Sequence, residues 1–174
     1  SKRSSKIKLN KKDQILCAKF RKGHFEGVID VMDRLTSLIK PAKIFMGEKD
    51  MQQFYLVKNY IEKKYKSKII PCQTIRDKKR FDLSSKNLLL RNKKIKKFKN
   101  WKKKIFNFKK KLKNKKNIFK LLQQKKNDLN KLFDVKVEYL ELRNVKNLKI
   151  SSKTKNSKIF IAYFINKVRL IDNI

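Results

Sequence analysis

"AKIFMGEKDMQQFYLVKNYI", residues 42–61, decides the fold. A short apolar run halts at Gly47, as a buried strand does. After Asp50 the pattern turns helical, and Phe54, Val57, Ile61 and Tyr65 fall on one stripe. Upstream, Val28, Val31, Met32, Leu35, Leu38 and Ile39 recur at three- and four-residue steps until Pro41, which predicts a helix with an apolar face. Downstream, "SKIIPCQTI", residues 67–75, predicts a second strand broken by Pro71. Helix, strand, helix, strand is the order of a parallel α/β sheet with crossover helices.

In such a sheet Gly47 lies at the carboxyl end of a strand, where α/β proteins place their ligands. The polar residues after it have two readings. Asp50, with Gln53 three residues on, makes a capping box for the next helix. Alternatively, the free N–H groups and positive end of that helix attract phosphate, and Lys49 adds a point charge beside them. The readings are compatible, since a capped helix start can still present Lys49 to a nucleotide. "DLSSKN", residues 82–87, divides the same way. Ser84 or Ser85 caps the helix that follows, or the two hydroxyls and Lys86 form a clamp that meets phosphate oxygens as charge builds on them during nucleotidyl transfer.

After Asn87 the character of the chain changes. Residues 91–116 carry 15 basic side chains and no acid, yet Ile95, Phe98, Trp101, Ile105, Phe108 and Leu112 are spaced for one helix face. Lysines one turn apart repel, so this helix depends on docking its aromatic face. A membrane-surface helix is the alternative reading of the same pattern. "IFKLLQQKKNDLNKLF" predicts a further helix, and "VKVEYLELR", "KIFIAYFI" and "KVRLIDNI" three short strands. The expected domains are residues 1–88, α/β, and residues 89–174, a small α+β domain.

The net charge of +37 invites a nucleic-acid reading. Eight arginines against 43 lysines argue against it, because base and phosphate readers favour the guanidinium fork. A basic nucleic-acid-binding module stays the alternative from another class. Cys17 and Cys72 belong to no metal or redox spacing, and His24 is the only histidine, so neither a metal pair nor a catalytic triad is indicated. With 40% hydrophobic residues and no apolar run near bilayer length, a soluble protein of a reducing cytoplasm is expected, with no membrane partner.

Taken in order, "RKGHFEGVIDVMDRL", "GEKDMQQF", "IRDKKRFDLSSKN" and "RLIDNI" resemble the pantothenate synthetase family, the pantoate–beta-alanine ligases, from about residue 13 to 174. The resemblance implies an adenylate-forming nucleotidyltransferase with a Rossmann-like amino-terminal domain and a small carboxyl-terminal domain that closes over the site. It implies ATP and Mg2+, with pantoate and beta-alanine as co-substrates, and dimers in the complete enzyme. By that likeness Gly47, Glu48, Lys49 and Asp50 fall on the ATP-contacting segment, and Gln53 on a pantoate-binding glutamine. Ile75 falls on a backbone ATP contact, and Leu83, Ser84, Ser85 and Lys86 on the phosphate-facing loop. Lys49 and Lys86 are the expected catalytic cations, Lys86 standing where the family has arginine. Arg21, Gly23, His24 and Phe25 match "RPGHF", with Lys22 for proline and no catalytic role for His24.

Two departures matter. The family's amino-terminal H-x-G-H, whose histidines stabilise the triphosphate, and an upstream pantoate-holding glutamine have no counterpart in these 174 residues. Arg80, Phe81 and Asp82 also replace small residues before the phosphate-facing loop. The expectation is a carboxyl-terminal portion of a synthetase, truncated or divided, inactive alone, or a non-catalytic subunit complementing a separate amino-terminal half. A degenerate stand-alone descendant is the other possibility.

Overall fold

The computed structural model describes residues 7–77, 82, 103–113, 115–132 and 135–174. The chain divides into two compact units, Ser1–Gln73 and Thr74–Ile174. The sequence reading set its divide at 88/89.

The first unit contains α1 (Leu16–Phe20), α2 (His24–Ile39), β1 (Lys43–Gly47), α3 (Met51–Lys64) and β2 (Lys68–Cys72), with single turns of 3-10 helix at Lys11–Asp13 and Glu48–Asp50. β1 and β2 pair in parallel, Lys43 opposite Lys68 through Gly47 opposite Cys72, so α3 is the crossover that the element order predicts. Pro71 lies inside β2 opposite Met46 and does not break the strand. A proline has no N–H to give a neighbour, and it is tolerated here because β2 has β1 as its one partner among the described strands.

α3 packs on α2 and on the sheet, burying Met51, Leu56, Val57 and Ile61. Each such aliphatic side chain contributes about 1.5–3 kcal/mol when fully removed from water. α2 departs from expectation. Its buried residues are Phe25, Ile29 and Thr36, whereas Val31, Leu35, Leu38 and Ile39 are exposed. At about 100° per residue the two sets lie on arcs of the helix roughly 100° apart. Periodicity locates an apolar arc but not the neighbour that covers it, and α3 sits against the other arc. β1 departs too: none of its residues is buried, and Phe45 is 65% exposed.

The second unit is an antiparallel sheet in the order β3 (Val135–Asn144), β4 (Ser157–Ile165), β5 (Val168–Asn173), with α4 (103–111) and α5 (Ile118–Leu132) packed on it. Asn166, at φ 54°, makes the left-handed corner of the β4–β5 hairpin. One core joins Ile105 and Leu112, Leu122 and Leu129 of α5, and Val137, Leu142, Ile159, Ile161 and Tyr163 of the sheet. The chain end is paired as well, Ile174 exchanging both backbone hydrogen bonds with Ile159 at 2.9 Å.

The described part of the basic helix therefore docks its apolar face, with Ile105 and Leu112 buried and Phe108 packed alongside. Lys125 Nζ sits 5.6 Å from the Phe108 ring centre. Desolvation, and then the charge of Lys158, lowers the pKa of the Lys109 ammonium. Residues 91–102 of the predicted stripe, with Ile95, Phe98 and Trp101, lie outside the described residues. No helix among the described residues is long and apolar enough to cross a membrane. This architecture is the expected one, part of a Rossmann-like α/β domain followed by a small α+β domain.

Candidate functional site

The residues after β1 form one continuous turn. Gly47 ends the strand in extended geometry (φ −66°, ψ 129°), Glu48–Asp50 make a 3-10 turn, and α3 follows at Met51. Glu48 and Lys49 are half-buried and Asp50 exposed. The expected capping box does not form, because Asp50 makes no side-chain hydrogen bond to the helix it precedes. An N-cap needs its side chain aimed back at the first-turn N–H groups from extended backbone. Asp50, at φ −96° and ψ 54°, is held by the 3-10 turn in another conformation.

The two adjacent glutamines part company. Gln52 is buried, and its amide binds backbone on three sides: Nε2 donates to the carbonyls of Ile15 (2.7 Å) and Asp13 (3.2 Å), and Oε1 accepts from the Ala18 N–H (3.3 Å). It ties the start of α1 to the start of α3. Gln53, one residue and about 100° further round the helix, is half-buried. The start of α2 is shaped by Gly23, whose φ of +76° is the left-handed conformation a side chain there would strain. His24 follows with its ring 4.9 Å from that of Phe25, which is buried in the core.

The structure thus brings Gly47, Glu48, Lys49, Asp50 and Gln53 together at the carboxyl end of β1. Ile75 is exposed and belongs to the second unit. Leu83, Ser84, Ser85 and Lys86 lie outside the described residues.

The second unit holds a buried ion cluster that sequence reading missed. Arg76 Nη1 and Nη2 donate to the two carboxylate oxygens of Asp172 at 3.0 and 2.7 Å, and Nη2 also donates to the Asn173 carbonyl at 2.9 Å. Its guanidinium carbon lies 5.2 Å from the Phe106 ring centre. An isolated antiparallel bridge pairs Arg76 with Asp82, which is buried. Desolvation opposes the Arg76 charge, but the hydrogen bonds and field of Asp172 outweigh it and raise its pKa. Burial, with Asp172 and then Asp82 adding to it, pushes the Tyr163 hydroxyl well above the usual tyrosine range. The signal lay in "RLIDN", which sets an acid among the apolar residues of a strand, a placement that calls for a partner when the strand is buried. Arg169 of the same stretch pairs with Glu138.

Comparison with known proteins agrees with this architecture. The chain is 35% identical over 173 residues to the pantothenate synthetase of Azobacteroides pseudotrichonymphae genomovar. CFP2, covering 93% of this chain and 59% of that protein. The crystal structure of pantothenate synthetase from Thermus thermophilus superposes with a TM-score of 0.85 over 97% of this chain and 62% of that one, and at 23% identity it speaks for the fold. The pantoate-beta-alanine ligase from Francisella tularensis, crystallised with beta-gamma ATP and beta-alanine, gives a TM-score of 0.75 at 30% identity, covering 97% of this chain and 56% of that one. The chain therefore spans about six tenths of the length of these relatives. The family described as pantoate-beta-alanine ligase matches residues 3–174, and with that match the chain belongs to this family, as a carboxyl-terminal portion of it.

Proposed function

We propose that this chain carries part of the active surface of an ATP-dependent ligase that joins pantoate to beta-alanine. In the first step the pantoate carboxylate attacks the α-phosphorus of ATP, forming pantoyl adenylate and expelling pyrophosphate. In the second, the beta-alanine amine attacks the acyl carbon, and AMP leaves as pantothenate forms. Neither step needs a covalent enzyme intermediate, so the protein's contribution is positioning and charge stabilisation.

The observation that carries the reading is the turn from Gly47 to Gln53. It sits at the carboxyl end of a parallel strand and enters a helix whose preceding Asp50 supplies no side-chain cap. Beyond its chain neighbours, a Cβ built at Gly47 meets no atom of the described residues within 4 Å, and the φ there suits any residue. The described protein therefore sets no steric demand for glycine at this position, and the space beside it is open. In our reading the ATP phosphates approach there, Lys49 offsets the charge that builds on them, Glu48 and Asp50 line the same segment, and Gln53 holds pantoate. By the family likeness, Ile75, Leu83, Ser84, Ser85 and Lys86 are further nucleotide contacts in this reading. Lysine at 86 keeps the family arginine's charge without its two-pronged geometry.

No group of three or more His, Cys, Asp or Glu side chains capable of holding a metal occurs among the described residues. We take magnesium to arrive on the phosphates of ATP, as this ion is commonly held. The Francisella relative's complex supports ATP and beta-alanine as ligands of the family. The complete enzyme is proposed to be a cytoplasmic homodimer.

The test is pantoate-dependent ATP–pyrophosphate exchange, run on the 174-residue chain alone and on the chain completed with a family amino-terminal part. Negligible exchange alone and measurable exchange when completed are expected. In the completed enzyme, Lys49→Ala should lower exchange by at least about 100-fold, the scale of losing one transition-state charge contact. Normal turnover by that variant would remove Lys49 from the site.

A further inference from the structure

The basic helix has no part in the ligase reading, yet it borders a groove in the second unit. That groove, of about 560 Å3, runs between α4 and α5 and is lined by Lys104, Lys111, Lys125 and Lys131, with Phe108 among them and Asp128 as the single acid. Lys104, Phe108 and Lys111 stand about one turn apart on one face of α4, and Lys125, Asp128 and Lys131 follow at three-residue steps on α5. The groove is held open by packed helices, since Ile105 and Leu112 on one side and Leu122 and Leu129 on the other are buried in the same core.

A general excess of lysine does not account for this surface. The 45 residues from 83 to 127 carry 19 lysines and arginines and no acid, although 14 acids in 174 residues would place about three or four in such a stretch. A bias toward lysine adds cations along the whole chain but does not clear acids from one part of it. Elsewhere acids meet cations: Asp33 pairs with Lys64, Glu138 with Arg169, Glu141 with Arg143 and Asp172 with Arg76. Among the described residues no ion pair engages Lys104, Lys111, Lys125 or Lys131. Four cations converging on one groove without counter-charges call for an anionic partner.

The groove's shape and chemistry select the partner. Lys104 and Lys111 are about 10 Å apart along α4, so the groove follows a chain of negative groups rather than one. A membrane surface fits poorly, because a helix lying on lipid turns its apolar face outward, and here Ile105 and Leu112 are buried. Lysine is a point charge without the fork that reads base edges, which suits a backbone bound by charge alone. The half-buried Phe108 ring adds what a plain polyanion site lacks, a flat apolar surface among the cations. Lys125 Nζ lies 5.6 Å from its centre, a contact weaker at an exposed site than the stacking of a base that would replace it. We propose that the α4–α5 groove binds single-stranded nucleic acid without regard to sequence, its four lysines meeting successive phosphates and Phe108 stacking on a base. This is a second activity beside the ligase reading and does not rest on it.

The test is fluorescence anisotropy of labelled oligo-dT and oligo-rU, each of about twenty nucleotides, titrated with the 174-residue chain at about 0.15 M salt and over a salt series. Because a chain of net charge +37 attracts any polyanion, the decisive comparison is between two variants of equal charge. One carries Lys104, Lys111, Lys125 and Lys131→Gln. The other carries Lys146, Lys149, Lys153 and Lys155→Gln, four exposed lysines of the β3–β4 connection. The groove variant should bind at least about 30-fold more weakly, and its plot of log affinity against log salt should be shallower by about 3, the yield of four phosphate contacts on a single strand. The control should lose less than about threefold. Phe108→Leu, which keeps an apolar side chain on the core, should weaken binding about fivefold or more and leave the salt slope unchanged. Thermal melting near that of the wild type checks that each variant is folded. A groove variant no weaker than the control, normal binding by Phe108→Leu, or a duplex or linear polyphosphate of equal charge bound as tightly as the single strand would each overturn the proposal. The titration contains neither ATP nor pantoate, so its outcome and that of pyrophosphate exchange are read separately.

Discussion

Removing the Arg76 side chain should cost the second unit about 3–5 kcal/mol, the typical penalty for stripping one partner from a buried ion pair. The geometry supports that full range. With Arg76 in place the Asp172 side chain has no solvent exposure, so Arg76→Ala strips a buried carboxylate of its cation. Three hydrogen bonds from the guanidinium are lost, two of them to that carboxylate and one to the Asn173 carbonyl. The affected strand is central to the unit's stability, since β5 and the chain end are paired to β4. Native-state hydrogen exchange at the Ile159 and Ile174 amides, which bond each other's carbonyls, reads the loss directly. At about 1.4 kcal/mol per tenfold, exchange should quicken roughly 150- to 4,000-fold. The double change Arg76→Met with Asp172→Leu removes both charges and fills the space with apolar atoms, and should restore most of the stability. If Arg76→Ala alters exchange less than about fivefold, or if the double variant is no better than the single one, the pair is not the buried electrostatic anchor the coordinates depict.

Tyr163 links stability to alkaline pH. Its hydroxyl is fully buried and its pKa is raised by burial and by the carboxylates of Asp172 and Asp82, so the folded state keeps a proton that the unfolded state releases near about pH 10. The stabilisation is complete below about pH 10 and is lost as the pH rises above it. Thermal unfolding of the wild type should weaken more steeply above about pH 10 than that of Tyr163→Phe. Gln52→Ala should destabilise the first unit by about 2–4 kcal/mol, since three backbone groups of residues 13–18 lose their partner. Urea unfolding checks the size, and faster hydrogen exchange over residues 13–18 checks the place.

The order of elements was legible before any coordinates, because each element repeats its own period. Alternating or continuous apolar runs marked β1 to β5, and three- and four-residue steps marked α2, α3 and α5. The turn that follows β1 was legible too, since a glycine at a strand end with polar residues behind it is a local pattern. What periodicity does not carry is the identity of a neighbour. The stripe from Val28 to Ile39 met every criterion for a core face, yet α2 buries Phe25, Ile29 and Thr36, because α3 lies against that arc. "AKIFM" reads as buried, yet none of β1 is buried among the described residues and Phe45 is 65% exposed.

The caps and ion pairs belong to the same class. Asp50 and Gln53 have the spacing of a capping box, but the 3-10 turn sets a backbone angle that spacing cannot encode. Arg76 and Asp172 are 96 residues apart, and only folding brings their charges within 2.7 Å of each other. By itself, then, the sequence determined which segments become helices and strands and which family they belong to, since both are written in local order. The tertiary structure alone decided which apolar surface is buried and which charge meets which, because those depend on distances between segments that the chain order leaves free.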